Sequence, residues 1–173
     1  MNQYDKQLNE PLAAEYYLVG PLPPAQVGMP FLLRVRVRNA GAHAWRVEGP
    51  HPVNLAYHWL DLAGQPVIFD GVRAHLPASL APGEAIELDM HVEPPSRAGS
   101  YTLAIDLVEE GVGWFSLRGV PALLAPVKVE ELSRDVPRAC IICQIAMIND
   151  AVGNHVVNQL RYFLSQGYQA IVI

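Results

Sequence analysis

At 173 residues the chain has room for one comfortable domain, or for one domain and part of another. A hydrophobic content of 51% with only 17% charged residues excludes a disordered polymer. The formal charge of −5 comes with no basic run, which argues against nucleic acid as a partner. No apolar stretch approaches the ~18 residues of a membrane helix, and the opening MNQYDKQLNEP lacks the basic start and apolar stretch of a signal peptide.

In chain order, short alternating runs come first. Glu15 to Val19 is a short strand candidate. In Phe31 to Asn39, Phe31, Leu33, Val35 and Val37 face one way, and Arg34, Arg36 and Arg38 face the other, as a solvated face would. Val53, Leu55, Tyr57 and Trp59 oppose Asn54, Ala56 and His58 in the next run, Val53 to Leu60. Pro66 to Asp70 and Val72 to Leu76 are shorter candidates. Ile86 to Glu93 alternates again, with Glu87, Asp89, His91 and Glu93 outward; Tyr101 to Val108 does so with Thr102, Ala104 and Asp106 outward. Trp114 to Arg118 and Leu123 to Val129 complete eight or nine strands. Each of the four long runs has one wet face, which antiparallel sheets permit and parallel sheets rarely do. Asn39-Ala-Gly41, Asp61-Leu-Ala-Gly64, Pro82-Gly83 and Glu110-Gly-Val-Gly113 supply turn chemistry between them. The count suits an immunoglobulin-like antiparallel β-sandwich over residues 1–129, with its core at 13–129.

All fifteen prolines lie at or before Pro137. The charged segment 130–137 therefore reads as a linker between two fold classes. Ala139 to Met147 is then apolar on both faces, as a central parallel strand is. Asn154 can cap a helix to about Gln166, Gly167 fits the position past its end, and Gln169 to Ile173 opens a second strand. Residues 138–173 are thus expected to form an incomplete βαβ, Rossmann-like unit. An unfinished sheet edge of this kind invites self-association.

Several side chains merit weighing for chemistry. Cys140 and Cys143 form C-x-x-C, but inside a strand they point to opposite faces, and they read as buried small apolar residues. With no further cysteines the first 139 residues have no disulfide framework, and a reducing cytoplasm is the natural location. The six histidines are scattered; His58 and His91 read as outward polar residues, and no metal set is visible. Trp59 shares a face with core residues, and Trp45 reads as a plug at the sandwich end. Trp114 neighbours Phe115, so one of the two faces outward, and Trp114 is the better candidate for ligand contact. Glu109 and Glu110 read as a solvated pair. In the loop Ile148 to Gly153, Gly153 admits close backbone approach, and the amide groups at the helix start suit an anionic or polyhydroxyl ligand. Asp150 reads as a base or as a loop cap, and His155 as an acceptor-binding or capping residue. There is no G-x-G-x-x-G and no P-loop lysine, so no dinucleotide or nucleotide cofactor is expected.

Two family resemblances add to this. Asn39-Ala-Gly41 followed by Trp45, Leu80-Ala-Pro-Gly-Glu84, and Pro94-Pro95 with Ala98-Gly-Ser-Tyr101 resemble bacterial immunoglobulin-like modules with an N-x-G-x-x-x-W turn, and Asp106-Leu-Val-Glu-Glu-Gly-Val-Gly-Trp-Phe115 resembles such modules attached to polysaccharide-biosynthesis enzymes. Ile148-Asn-Asp-Ala-Val-Gly-Asn-His155, with Leu160-Arg161 and Gly167-Tyr168, is similar to the start of GT-B glycosyltransferases of the group 1 type. The second resemblance implies an acceptor-side loop of Asn149, Asp150, Gly153, Asn154 and His155. It also implies a nucleotide-sugar donor held by a second domain with an E-x7-E motif. That domain is not in these 173 residues, so the chain alone is not expected to transfer sugar. The implied role is an N-terminal accessory portion of a glycosyltransferase in cell-surface polysaccharide assembly. A non-enzymatic carbohydrate- or protein-binding module and a plain structural spacer are the alternatives.

Overall fold

The structure, a computed structural model, describes residues 12–132 and the backbone of 138–141 and 169–172. Its strands are β1 (Ala14–Leu18), β2 (Ala25–Gln26), β3 (Phe31–Asn39), β4 (Val53–Leu60), β5 (Pro66–Ile68), β6 (Ala74–His75), β7 (Ala85–Val92), β8 (Gly99–Glu109), β9 (Gly113–Trp114), β10 (Leu123–Glu130), β11 (Arg138–Ile141) and β12 (Gln169–Val172). One turn of 3₁₀-helix, Ser116–Arg118, follows β9.

Two sheets carry the fold. The first has the order β1-β3-β7; the second runs β2-β10-β8-β4-β5, with β6 also on β4 and β9 on β8. Within these two sheets pairing is antiparallel except between β10 and β2. Leu33, Val35, Val37, Leu88, Met90 and Val92 from the first sheet meet Leu55, Tyr57, Trp59, Leu103, Ile105 and Leu107 from the second in one buried core. This is the period-2 reading made physical: every second side chain of a strand leaves water, and two such faces exclude it together.

The topology is immunoglobulin-type on its own geometry. The β1-β3-β7 sheet takes the places of strands A, B and E, and β10-β8-β4 those of G, F and C. On the C-position strand Trp59 is fully buried, edge-on to Tyr101 at 6.1 Å. Tyr101, at the start of the F-position strand, donates its hydroxyl back to the carbonyl of Arg97 at 3.0 Å, forming a tyrosine corner. Two residues on, where antibody domains place a disulfide cysteine, stands Leu103, fully buried. The polar ends of the core aromatics are satisfied at one residue: Trp59 Nε1 donates to the Glu93 carbonyl at 2.8 Å, and the Glu93 amide donates to the Tyr57 hydroxyl at 2.9 Å.

Three expectations change. The faces of β4 and β8 expected to be wet are buried: Asn54, Ala56, His58, Ala104 and Asp106 all lie under cover. The segment 66–75 pairs along β4 and Trp114 lies alongside, so β4 and the adjoining part of β8 are covered on both faces, while β10 keeps an exposed outer face. Trp114 to Arg118 is not one strand but β9 followed by a 3₁₀ turn, which sends Phe115 into the main core. Ala25–Gln26, preceded by Pro23-Pro24, adds a two-residue parallel rung on β10 that no periodicity could announce.

β11 and β12 pair in parallel, Arg138 with Gln169 through Ile141 with Val172. The helix expected at 154–166, the loop holding Asn149, Asp150, Gly153, Asn154 and His155, and Cys143 lie outside the described residues. Among the described residues no helix is long and apolar enough to cross a membrane.

Candidate functional site

The outer face of β4 and β8 concentrates the polar groups that a sandwich ordinarily leaves in water. Asp106 is completely buried. Its Oδ1 accepts from the Leu107 amide at 2.8 Å and the Tyr16 hydroxyl at 3.4 Å; its Oδ2 accepts from the Ser116 amide at 3.2 Å and lies 3.7 Å from His58 Nε2. His58, only 6% exposed, bonds the Phe69 carbonyl through Nδ1. Its ring stacks on Phe69 at 4.8 Å and meets Trp114 edge-on at 4.2 Å. Burial, then the Asp106 charge, push the Tyr16 hydroxyl far above its ordinary range.

Trp114 takes the outward side of its pair, as expected, yet it is only 7% exposed. The Arg73 guanidinium sits 4.8 Å above its ring. Arg73 is itself held by Glu110 Oε1 at 2.8 Å, by Asp70 and by the Gly71 carbonyl at 2.9 Å. Asn54 Nδ2 donates to the same Glu110 oxygen at 3.0 Å, and Asn54 Oδ1 meets His75 Nδ1 at 2.8 Å. Glu109 pairs with Arg118 at 2.6 Å. The expected solvated pair, Glu109 and Glu110, therefore anchors two arginines instead. His58 and His91 sit on different sheets and are not neighbours, and among the described residues no three His, Cys, Asp or Glu side chains are grouped to hold a metal ion.

This face is a closed clasp rather than an open platform: its charges and rings are spent on one another. Sequence alone shows the signal in part, because Asn54, His58 and Asp106 share one side of adjacent strands. The partner groups Phe69, Arg73 and Glu110 sit in turns and carry no periodic mark.

Two measurements test the clasp. Gly71 lies so close to β4 that a Cβ would sit 2.5 Å from the Tyr57 carbonyl and 2.7 Å from its ring. Gly71→Ala should lift the 66–75 segment and cost about 1–3 kcal/mol, the usual range for overpacking. Urea midpoints and a red shift of Trp114 emission would report it; an unchanged midpoint would show that the segment yields freely. The second concerns pH. Burial raises the Glu110 pKa, but hydrogen bonds from Arg73 and Asn54 outweigh it and hold the carboxyl below its ordinary value. A depressed folded pKa adds stability above the unfolded value, about 4.3, and that stability is lost as pH falls through the folded one. Stability should therefore decline on acidification below about pH 4, and part of that slope should vanish in Glu110→Gln.

A small concavity, about 60 Å³, opens at the sandwich end between the β3–β4 and β8–β10 connections. His43, Trp45, Arg46, His51, Glu109 and Arg118 line it. Trp45 plugs this end as expected, bridged backbone to backbone with Leu80 and edge-on to Phe115 at 5.6 Å.

No family model matches the chain, and no curated protein matches it. Among solved structures it is similar to a β-glucosidase from Listeria innocua in complex with glucose, at 13% identity and a TM-score of 0.43, over 69% of this chain and 16% of that one. It is also similar to a CARDB domain from Pyrococcus furiosus, at 17% identity and a TM-score of 0.39, covering 69% of this chain and 94% of that one. A Niemann-Pick type C2 protein from the Japanese carpenter ant gives 14% identity and a TM-score of 0.41, over 69% and 92%. The chain thus spans about a sixth of the β-glucosidase's length.

Proposed function

We propose that the sandwich is a non-catalytic accessory module at the N-terminal side of a GT-B glycosyltransferase of the group 1 type, acting in cell-surface polysaccharide assembly in the cytoplasm. The observation that carries the reading is the parallel register of β11 on β12, separated by the 27 residues 142–168. A parallel pair needs a crossover of a dozen or more residues, most often a helix, and this spacing fits a βαβ, Rossmann-like unit. In this reading Asn149, Asp150, Gly153, Asn154 and His155 line the acceptor side, beyond the carboxyl end of β11. The sandwich, whose buried charges are paired internally, orients the acceptor glycan or holds the catalytic domain in place. The nucleotide-sugar donor belongs to a second Rossmann-like domain.

Reading the gene past the codon for Ile173 tests this directly. An open frame of some hundreds of residues with a second Rossmann-like half and an E-x7-E motif is the expected result. A stop codon directly after Ile173 would sink the reading and leave a β-sandwich binding module.

A further inference from the structure

The outer face of the β1-β3-β7 sheet carries a row of three arginines, and they are not equivalent. Arg38 is fixed: its Nη1 reaches both Glu15 oxygens at 3.2 Å, and its Nε donates to the Gly83 carbonyl at 3.3 Å. Arg34 lies 3.5 Å from Glu87 and 3.9 Å from Asp89. Arg36, between them on β3, has no carboxylate within ion-pair distance among the described residues. Across the ladder its neighbours are Tyr17 on β1 and Glu87 on β7.

An exposed arginine is by itself no site, since water satisfies it. Here it lies in an open concavity of about 540 Å³ whose other walls include Tyr17, Glu15, Glu87 and Gly20. Tyr17 is 52% exposed, and its hydroxyl donates to Glu15 Oε2 at 3.1 Å. The ring is therefore held in place while remaining open to solvent. The walls thus offer an apolar aromatic surface, a free bidentate donor, and two carboxylates with spare acceptor capacity.

We propose that this groove binds an acidic saccharide, with a uronate carboxylate on Arg36, the pyranose face on Tyr17, and ring hydroxyls donating to Glu87 and Glu15. The flanking carboxylates select among anions. Phosphate or a bare peptide carboxylate brings negative charge towards Glu15 and Glu87 with little to donate to them. A sugar acid brings hydroxyl donors beside its own carboxylate and meets both demands. The proposal deepens the accessory-module reading by naming the class of glycan, but it is tested by binding and not by the reading frame.

The experiment is a calorimetric or NMR titration of the 173-residue chain with tri-galacturonic acid, beside maltotriose, inorganic phosphate and an acetylated dipeptide. Saturable binding of tri-galacturonate alone is expected. Arg36→Gln should weaken it about tenfold or more, as loss of a charge-assisted bidentate contact does. Tyr17→Ala should weaken it severalfold and Tyr17→Phe less, while Arg46→Gln, at the other concavity, should leave it unchanged. Both wall residues are exposed, and unchanged urea midpoints would show the variants intact. The proposal is overturned by no saturable binding, by equal binding of maltotriose, phosphate or the dipeptide, or by binding that survives both Arg36→Gln and Tyr17→Ala. A loss caused by Arg46→Gln would also overturn it, by moving the site to the sandwich end. An open frame past Ile173 with no uronate binding would leave the accessory reading standing without this ligand.

Discussion

Asn39→Asp is expected to destabilise the sandwich by about 3–5 kcal/mol at neutral pH, as uncompensated buried charges do. Asn39 is fully buried, and its amide is committed on both sides. Its Nδ2 donates to the carbonyls of His43 at 2.7 Å and Leu80 at 2.9 Å, while its Oδ1 accepts from the Gly41 amide at 3.0 Å. Three backbone groups of two connections are thereby tied to the end of β3. An aspartate of the same shape turns the two donor contacts into oxygen facing oxygen. Asn39→Ala should cost less, about 1–3 kcal/mol, because it removes donors without adding charge. The Leu80 carbonyl then still accepts from the Trp45 amide at 2.9 Å.

Acid separates the two variants. The introduced carboxyl, buried against carbonyls, has a folded pKa raised above its unfolded value, so it disfavours folding most strongly where it must ionise. As pH falls through about 4 it is increasingly protonated in the unfolded state as well, and in the folded state it can donate one proton, so Asn39→Asp should recover part of the lost stability while Asn39→Ala does not. Urea melts at pH 7 and pH 3.5 would decide it. Equal losses for the two variants at both pH values would mean that the turn relaxes and lets water reach the side chain.

The long strands were legible because they are long. β3 and β4 keep their alternation over nine and eight residues, broken only by Leu32 and Asn39 in the first and by Ala56 and Leu60 in the second, and the expected and observed limits coincide at Phe31–Asn39 and Val53–Leu60. β7 differs by one residue, Ala85–Val92 against 86–93. The asymmetry between the two sheets was not legible. Arg34, Arg36, Glu87 and Asp89 on one outer face are exposed, and Asn54, His58 and Asp106 on the other are buried, yet both sets read as polar alternation. What separates them is the placement of the 66–75 segment, which is set by contacts far apart in the chain. Gly71 against Tyr57, Arg73 on Glu110 and His58 on Phe69 have no local periodicity. The acceptor-side loop Asn149 to His155 was read from its turn chemistry and a resemblance, and it lies outside the described residues.

Asp106 shows how such a buried face decides local structure, and its removal is the second large effect expected. Asp106→Ala should cost about 3–5 kcal/mol, since it strands the buried Leu107 amide and the part-buried Ser116 amide and Tyr16 hydroxyl. The Ser116 amide begins the 3₁₀ turn that replaces the expected strand, so the loss should appear first at Phe115 and Trp114. With a urea slope of ~1–3 kcal/mol per molar, the midpoint should fall by a molar unit or more. Asp106→Asn keeps one oxygen for Leu107 and Tyr16 but turns an amide group towards the Ser116 N–H, so its cost should lie between wild type and alanine. The Tyr16 hydroxyl supplies the internal check. Tyr16→Phe alone should be mild, because the 3.4 Å contact is long. In the Asp106→Ala background it should cost nothing further or even relieve the variant, the hydroxyl having lost its acceptor. A double-mutant cycle showing strictly additive losses would mean that Tyr16 and Asp106 are neighbours without coupling.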